Sequence, residues 1–485
     1  MQTPFNPLTS LWADAKCDPQ SLAHLSFLNA EYQLPSSFHV GAIAAATLGA
    51  QALAAADIWR LRSGRSSDQV QQVSIDMKHA MAMFRSERYL TVDGKPPADI
   101  WSPIAGYYQA GDGRWIQLHT NFPHHRDGVL QVLECANNRD AVAKAIAGWQ
   151  AADLDQRLAA EGLCAAMIRT TSEWNAHPQA VAIASLPLIE IIRIGDAPPE
   201  LIGKTAQLNQ SIRGAGLHPS LRPLSGVRVL DLSRVIAAPV GARTLAQHGA
   251  DVLAISAAHL PNIMPLVIDT GRGKRSAQLD LRQEKDASKL RELVSDADIF
   301  IQAYRPGALA AQGFSTQALS ELRPGLIQVS LSAYSHAGPW AERRGFDSLV
   351  QSATGIAWQE GQGSHLNAPG KLPCQALDHA TGYLAAFGAM VALQRRAVEG
   401  GSWLVRVSLA QTGHWLQTLG MVDASAQRIE NQTELSQTEV ATYLQTMSSD
   451  FGQISAIVPV ERMSETMPGF DLPPSPLGSH TAQWS

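Results

Sequence analysis

From about residue 224 to residue 335, short apolar runs alternate with segments of helical pattern, and this alternation restricts the possible folds more than any other feature. Residues 227–232 and 251–255 are apolar runs of strand length. Residues 239–249 lie between them and start with proline and end with glycine, as helices often do. Strands that alternate with helices pair into a mostly parallel sheet. The sequence therefore predicts an α/β fold with a Rossmann-like beginning.

The same pattern continues at residues 297–301 and 326–331, each preceded by a plausible helix. The first strand-to-helix turn, residues 233–239, contains no glycine, so it lacks the glycine cradle that binds the pyrophosphate of NAD or FAD. Residues 271–276, Gly-Arg-Gly-Lys-Arg-Ser, do not have the order of a P-loop either. We predict that they form a basic turn before a strand at 277–281, where their charges can still attract phosphate.

One acidic residue, Asp378, stands at the start of a predicted helix that is rich in small residues. Gly382, Ala385 and Gly388 let a backbone or a ligand approach this helix closely. The first N–H groups of a helix favour a negative charge, which suits a carboxylate with a chemical role. They suit an ordinary N-cap equally well, because aspartate is preferred there whether or not any chemistry occurs. The motifs that precede Asp378 favour the chemical role.

Five motifs in a fixed order resemble the large domain of the family III CoA-transferases. They are Leu-Ser-Gly-Val-Arg-Val-Leu-Asp-Leu at 224–232, Arg-Gly-Lys-Arg-Ser at 272–276, Tyr-Arg-Pro-Gly at 304–307, Ser-Leu-Ser-Ala-Tyr at 330–334 with Gly-Pro at 338–339, and Asp378 with its helix. The resemblance covers roughly residues 222–415 and is to the CaiB/BaiF type, which includes formyl-CoA and carnitine CoA-transferases. It implies a Rossmann-like large domain with a parallel sheet and a smaller α+β domain.

The resemblance also implies an enzyme that moves CoA from an acyl-CoA donor to a carboxylic acid acceptor. In the family, the aspartate that matches Asp378 attacks the thioester and forms a mixed anhydride, and the released thiolate returns to give an aspartyl-CoA thioester. Such chemistry needs an ionised carboxylate, donors for the developing oxyanion and exclusion of water. Coenzyme A and acyl-CoA are then substrates, and no permanently bound cofactor is expected. The sequence does not identify the donor or acceptor acids.

Three loops that match the family's loops for the nucleotide end of CoA supply the predicted contacts. The residues are Arg234, Val235, Ile236, Ala237, Lys274, Arg275, Ala303, Tyr304 and Arg305. Backbone groups can recognise adenine, an aromatic or guanidinium group can stack on it, and cations can bind phosphate. These cations are also consistent with solvated loop charges. Residues 254–258 depart from the family, which has a charged Lys-x-Glu motif there.

Two alternatives to a transferase remain open. The first is a non-catalytic relative that binds CoA or acts as a scaffold, which the uncharged residues 254–257 favour. The second is an acyl-CoA racemase, the branch of the family that pairs the aspartate with a histidine as two bases. Phe346 stands at that histidine's position and cannot carry a proton. His379 adjoins Asp378, but neighbouring helical residues point about 100° apart, so we expect it to face packing or solvent.

A rearranged internal repeat is the most unusual aspect of the chain's organisation. Residues 41–49, 62–65 and 73–76 resemble residues 382–388, 399–402 and 407–410. The first copy has no aspartate: His39 is the sole titratable residue near 37–44, so we expect no second nucleophile. Residues 188–194 similarly parallel residues 457–462. The first half then resembles a family unit without its Rossmann-like region, and the second half one without its small domain.

This arrangement predicts three parts. Residues 1–220 hold partial large-domain helices and a small domain that includes a hairpin at 107–118 with a Gly-Asp-Gly turn. Residues 221–430 form the Rossmann-like large domain, and residues 431–485 a return segment and tail whose last residues, 479–485, are expected to fray. We expect the junction at 209–223. One chain then forms a pseudo-dimer, or two chains form a homodimer.

Composition excludes several other classes of function. The net charge is −5 and the lysines and arginines are dispersed, which argues against a nucleic-acid partner. The alanine-rich run at 40–58 resembles a buried helix more than a membrane span, and the first residues lack a secretory signal, so we expect a cytoplasmic protein. The four cysteines are scattered and predict neither disulfides nor a zinc site. His124 and His125 are predicted to be surface or loop residues and not metal ligands.

Overall fold

The computed structural model describes residues 5–66, 68–98, 101–203, 221–363, 368–422 and 433–485. Strands in this part are numbered β1 to β16 in chain order: Leu25–Leu28, Val73–Asp76, Thr91–Val92, Gly106–Gln109, Trp115–Leu118, Ala165–Met167, Glu190–Gly195, Arg228–Leu232, Asp251–Ser256, Lys274–Gln278, Ile299–Gln302, Ile327–Ser332, Ser402–Ser408, Leu444–Ser449, Gly452–Ile457 and Glu461–Met463. The α-helices span Phe5–Asp14, Val40–Ser63, Met77–Met83, Ser86–Tyr89, Pro123–Leu133, Arg139–Ile146, Ala151–Ala160, Thr171–Asn175, Pro178–Ala184, Ala237–Gln247, Met264–Thr270, Glu284–Ser295, Thr316–Leu322, Asp347–Ala353, Ile356–Gly363, Ala376–Glu399, Leu409–Thr418 and Gln437–Ala441. Short 3₁₀ helices lie at Pro19–His24 and Ala310–Gln312.

A seven-stranded sheet forms the centre of the large domain. Its strand order is β10-β9-β8-β11-β12-β13-β7, and every pair is parallel except the last, in which β7 runs antiparallel to β13. Successive residues of β8 pack into different cores: Val229 joins the core on one face of the sheet and Leu230 the core on the other. Both faces are therefore covered, which explains the continuous apolar runs of the sequence. The predicted α/β fold with a Rossmann-like parallel sheet is confirmed.

The predicted basic turn at 271–276 is wrong in its position. Strand β10 begins at Lys274 and not at residue 277, and Lys274 pairs with Val252 in parallel register. The turn ends at Gly273, whose φ of +76° is a conformation that glycine tolerates best. Lys274 and Arg275 thus belong to an edge strand of the sheet. Strand pairing outweighed the local turn signal of the glycines and cations.

A three-stranded antiparallel sheet, β4-β5-β6, forms the small domain. The predicted hairpin is confirmed: Tyr107 pairs with Gln117, and the turn between the strands contains Gly113 at a φ of +76°. Helices Pro123–Leu133, Arg139–Ile146 and Ala151–Ala160 contribute apolar residues such as Val129 to the core of this sheet. The small domain is therefore α+β, as predicted.

The internal repeat corresponds to two matching helices. Val40–Ser63 and Ala376–Glu399 each have 24 residues, and each ends before a glycine with positive φ, Gly64 or Gly400. The two helices pack against each other. Counted from the helix start, Ala42 occupies the position of Asp378. The expectation that the first copy has no acid at this position is therefore met.

The two halves of the chain exchange their return strands. Strand β7 from the first half completes the large sheet, where Arg193 pairs with Trp403 of β13. Strand β16 from the end of the chain runs antiparallel to β2 in the first half, where Arg462 pairs with Ser74. Each half therefore completes a sheet of the other. Most of the predicted junction, residues 209–220, lies outside the described residues.

The last residues are anchored, so the prediction that 479–485 fray is wrong. The indole Nε1 of Trp484 donates to the carbonyl oxygen of Leu293 at 3.1 Å, and Arg275 donates to the carbonyl oxygen of Gln483 at 2.6 Å. Trp484 also packs against the apolar core on one face of the large sheet. Burial of this indole offsets the entropy that a free terminus would keep.

Among the described residues, two helices are long and apolar enough to cross a membrane by length and composition. They are the repeated helices, Val40–Ser63 and Ala376–Glu399, and 94% and 100% of their apolar windows are buried inside the protein. Both therefore serve as core helices of the fold, which confirms the prediction of a buried helix at 40–58.

Candidate active site

Asp378 lies at one end of a cavity of about 430 Å³. The cavity opens at the carboxyl ends of the parallel strands β8, β11 and β12, the usual place for a ligand in such sheets. Of the predicted site residues, the following line it: Arg234, Val235, Ile236, Ala237, Ala303, Tyr304, Arg305 and Asp378. The small domain closes the other side with Phe122, His124, His125 and Cys164. Both domains of one chain thus enclose the same cavity.

Small residues bring the first strand-to-helix loop next to Asp378. A Cβ atom at Gly382 would lie 2.4 Å from the carbonyl oxygen of Ala237, and one at Gly241 would lie 2.9 Å from the carbonyl oxygen of Gly382. Helices Ala237–Gln247 and Ala376–Glu399 can therefore touch backbone to backbone. The close approach that the sequence predicted is made by a neighbouring helix.

Asp378 has a second carboxylate behind it, that of Asp347, which sequence reasoning did not identify. The backbone N–H of Asp378 donates to Oδ2 of Asp347 at 2.9 Å, and the side chain of Gln351 donates to Oδ1. Burial raises the pKa of Asp347 to about 6. Burial, and then the charges of Asp347 and Glu87, raise the pKa of Asp378 well above its ordinary value. In the empty cavity Asp378 therefore holds its proton more tightly than an exposed aspartate does.

His379 faces away from the cavity. Its Nε2 lies 3.2 Å from Oε2 of Glu87, and its ring stacks on Phe84 at a centroid distance of 5.4 Å. Glu87 and Phe84 both come from the first half of the chain. The side chain of His379 is completely buried and does not line the cavity, which agrees with the expectation that it packs.

Phe346 occupies the place where the racemase branch carries a histidine. It lines the cavity, and its ring stacks on His119 at a centroid distance of 3.8 Å. This aromatic contact supplies an apolar wall beside the reactive end of the cavity, and it offers no base to a substrate.

The expectation that His124 and His125 are only surface or loop residues is wrong for their surroundings. Both stand at the start of helix Pro123–Leu133 and line the cavity, and His125 is buried. The Nε2 of His125 lies 3.4 Å from Sγ of Cys164. Burial, and then the charges of His124 and Arg344, lower the pKa of His125 to about 3. His125 is therefore a neutral polar wall of the cavity and a weak base.

Three arginines face the cavity without a carboxylate partner among the described residues: Arg234, Arg305 and Arg344. Asp378 is the sole acidic residue in the described lining. Arg234 donates to the carbonyl oxygen of Pro261 at 2.8 Å, and its guanidinium lies 5.9 Å from the ring centroid of Tyr304. Burial, Arg305 and Arg234 lower the pKa of Arg344, as expected for clustered cations. Such a cluster suits an anionic group of a ligand.

Sequence reasoning predicted two of these arginines and missed Arg344. It precedes Phe346 by two residues, in the same short segment that leads to Asp347. Its charge gave no local signal, because a single arginine in a loop is usually solvated. The packing of that segment against both domains is what brings its guanidinium to the cavity.

Lys274 and Arg275 are not brought to this cavity; they line a smaller adjoining one of about 60 Å³. The ammonium of Lys274 is buried and lies 2.8 Å from Oδ2 of Asp231 and 2.8 Å from the carbonyl oxygen of Pro239. Arg275 pairs with Asp251 at 2.7 Å. Both charges are therefore neutralised within the protein. Lys274 fastens β10 to the loop after β8, which also forms the cavity wall.

The loop after β8 contains a strained residue at the cavity. Val235 has a φ of +76°, although a β-branched side chain strongly disfavours the left-handed region. Strain of this kind typically costs about 1–3 kcal/mol and persists where the surrounding structure imposes it. Lys274, Arg234 and the adjoining helix impose it here by fixing both sides of the loop.

Residues 224–450 match the family model for CoA-transferase family III. An acetyl-coenzyme A transferase, nodX, from Hypoxylon pulicicidum is 29% identical over 336 residues, which are 66% of this chain and 55% of that protein. An acyl-CoA transferase from Gibberella moniliformis is 26% identical over 383 residues, covering 70% of this chain and 64% of that protein. The chain thus spans between half and two thirds of the length of these relatives.

A bacterial relative and its solved structure match a shorter part. The probable fatty acyl-CoA transferase Rv3272 from Mycobacterium tuberculosis is 30% identical over 209 residues, 40% of this chain and 52% of that protein. Its crystal structure aligns with 41% of this chain and 58% of that chain at a TM-score of 0.38 and 28% identity. The matched family segment contains Asp378, the parallel sheet and most of the cavity loops. Through this segment the chain belongs to CoA-transferase family III.

Proposed function

We propose that the protein is a CoA-transferase that moves CoA from an acyl-CoA donor to a carboxylic acid acceptor, with Asp378 as the covalent nucleophile. The observation that carries the proposal is the position of Asp378, an almost dry carboxyl group at one end of a cavity that otherwise carries unpaired arginines. Thioester and phosphate are the two features of acyl-CoA that such a cavity can address at once. The names of the matched relatives agree with this chemistry.

Each step of the proposed reaction conserves atoms and charge. An oxygen of ionised Asp378 attacks the thioester carbon, the carbon–sulfur bond breaks, and CoA leaves as thiolate from a mixed anhydride. The thiolate then attacks the carbonyl carbon of Asp378, which releases the donor acid as a carboxylate and leaves an aspartyl-CoA thioester. The acceptor carboxylate attacks this thioester to form a second anhydride, and the thiolate collects the acceptor's acyl group. Asp378 is regenerated as a carboxylate.

The surroundings of Asp378 suit the anhydride intermediates. The side chain is 7% exposed, and apolar lining residues such as Ile236, Leu331 and Leu409 restrict water around it. An anhydride in open solvent would hydrolyse, so a dry site preserves the acyl group for the thiolate. The arginines at the other part of the lining are proposed to hold the phosphates of CoA and thereby to keep the thiolate close.

Removing the cavity arginines is expected to weaken CoA binding. We expect Arg344→Ala and Arg305→Ala each to raise the Kd for CoA about tenfold, because a charge-assisted hydrogen bond contributes about 1.5–3 kcal/mol. Calorimetric titration with CoA at two salt concentrations measures the effect, and the loss should shrink at high salt. The matched control is Arg282→Ala, whose arginine pairs with Asp280 away from the cavity. Unchanged affinity in both cavity variants would remove the arginines from the CoA site.

The proposed activity is tested with a matrix of acyl-CoA donors and carboxylic acids, read by mass spectrometry. A transferase should convert at least one acid to its CoA thioester in an amount equal to the donor acid released. CoA binding without any exchange would instead identify a non-catalytic relative. Incorporation of solvent deuterium next to the thioester carbonyl, without exchange of CoA, would identify a racemase and contradict the proposal.

A further inference from the structure

The carboxylate of Asp347 is held rigidly behind the proposed nucleophile. It is completely buried at the first position of helix Asp347–Ala353. Gln351, one turn further along the same helix, donates to Oδ1, and the side-chain oxygen of Gln351 accepts the backbone N–H of Leu372 at 2.9 Å. The remaining oxygen, Oδ2, accepts the backbone N–H of Asp378 at 2.9 Å. Each end of this chain of hydrogen bonds is therefore tied to the backbone.

These contacts replace the missing cap of the helix that carries Asp378. Helix Ala376–Glu399 begins after Gln375, whose side chain makes no capping hydrogen bond. The first N–H groups of any helix lack partners within the helix. Asp347 supplies one from 31 residues away in sequence, at the residue that bears the proposed nucleophile. The first turn of this helix is thereby fixed from outside.

We propose that Asp347 is the positioning residue for Asp378: by holding the backbone N–H of Asp378, it sets where the nucleophilic carboxyl group stands in the cavity. The inference rests on the proposed function, because it assigns a purpose to the placement of Asp378. Positioning matters for attack on a thioester, since a displacement of about 1 Å can cost on the order of 10²-fold in rate. Nothing in the local sequence of Asp347 distinguishes this role from that of an ordinary first-turn acid.

Asp347 also acts on Asp378 through charge. Several titratable groups surround the pair: Glu87 from helix Ser86–Tyr89, His379 on the helix of Asp378, Cys374 in the preceding loop and Tyr107 from β4. Among them Asp347 is the largest charge effect on Asp378. The negative charge opposes ionisation of Asp378, and a less acidic carboxylate is a stronger nucleophile once it is ionised. Asp347 therefore affects both the place and the ionisation of the nucleophile.

Two substitutions separate these effects. Asp347→Ala removes the acceptor of the Asp378 N–H, and we expect kcat to fall by about 10²-fold with little change in KM for acyl-CoA. Asp347→Asn keeps an oxygen that accepts this N–H but removes the charge. We expect it to recover most of kcat and to move the acidic limb of the kcat–pH profile to lower pH by at least about one unit, because Asp378 then ionises more easily. A purely structural residue would not move the pH limb.

Hydrogen exchange of the peptide that starts at Gln375 provides a readout without any activity. The amides of the first turn should exchange faster in Asp347→Ala than in the parent, and at the parental rate in Asp347→Asn. The control is Asp298→Asn: Asp298 is buried, and its Oδ2 accepts the backbone N–H of Arg228 at 2.9 Å in the large sheet. This variant should leave both the exchange of that peptide and the pH limb unchanged.

The outcomes distinguish the inference from the proposed function. Parental exchange rates in Asp347→Ala, or a pH limb that stays in place in Asp347→Asn, would overturn the positioning role even in a fully active transferase. Faster exchange in Asp347→Ala, restored in Asp347→Asn, would support the positioning of Asp378 even if no donor and acceptor pair reacted. In that last case the proposed function would fail by itself.

Discussion

Replacing Asp378 by asparagine should lower the rate of CoA exchange by about a thousandfold or more, because an amide cannot form the anhydride and loss of a nucleophile removes the whole covalent route. The affinity for CoA should remain close to that of the parent protein, since the side chain lies at the reactive end of the cavity and the arginines lie elsewhere in its lining. Initial rates of acyl-CoA exchange and calorimetric titration with CoA measure the two quantities on the same preparation.

The variant should also be at least as stable as the parent at neutral pH. Folding raises the pKa of Asp378, so the stability contributed by its protonated form is present at low pH and is lost as pH rises through the folded pKa. Asparagine carries no such penalty. A matched control is Asp57→Asn in the first copy's helix, where burial also raises the pKa of the aspartate but no cavity with cations adjoins it. Parental exchange rates in Asp378→Asn, or equal losses in both variants, would contradict the assignment.

Replacing Asp269 by alanine should produce the largest loss of stability. This buried carboxylate accepts hydrogen bonds from Arg243 and Arg272 at 2.8 Å each and from Ser86 of the first half at 2.7 Å. Burial opposes its ionisation, yet the two guanidinium groups lower its pKa to about 2. Alanine would leave two buried cations without their partner, which typically costs about 3–5 kcal/mol. Denaturant unfolding followed by circular dichroism measures the loss.

The pH dependence gives a second check of Asp269. Its folded pKa is depressed, so its contribution is present above the unfolded pKa, near 4, and is lost as pH falls toward about 2. The control is Asp196→Ala, which removes a fully exposed partner of Arg193 and should change the free energy of unfolding by less than about 1 kcal/mol. A loss for Asp269→Ala as small as that of the control would mean that this charge cluster does not hold the two halves together.

The sheet and the place of Asp378 could be predicted because their signals are local. Apolar runs such as 227–232 and 251–255 state their strand character within a few residues, and the bounds of β8 and β9 differ from them by one residue. The small residues around Gly382 likewise encode a close backbone contact in one short stretch. The repeat was legible for the same reason, since both copies keep a long helix that ends at glycine.

The remaining features of the site depend on residues that are distant in sequence. Asp347 acts on Asp378 across 31 residues, and His125 reaches the cavity because the small domain packs against the large one. Lys274 has the composition of a phosphate ligand, but its neutralisation by Asp231 is visible only once β8 and β10 are folded. The exchange of β7 and β16 between the halves is also a property of tertiary pairing. None of these contacts leaves a periodic trace in the chain.

The most direct test of the central claim is to trap the intermediate. The protein is incubated with a reactive acyl-CoA, quenched with hydroxylamine or borohydride, digested and examined by mass spectrometry. We expect the hydroxamate or the reduced residue at position 378 in the parent, and no modification in Asp378→Asn. Exchange of CoA that proceeds with a trapped adduct on another residue, or with none at Asp378 under any donor, would contradict the account.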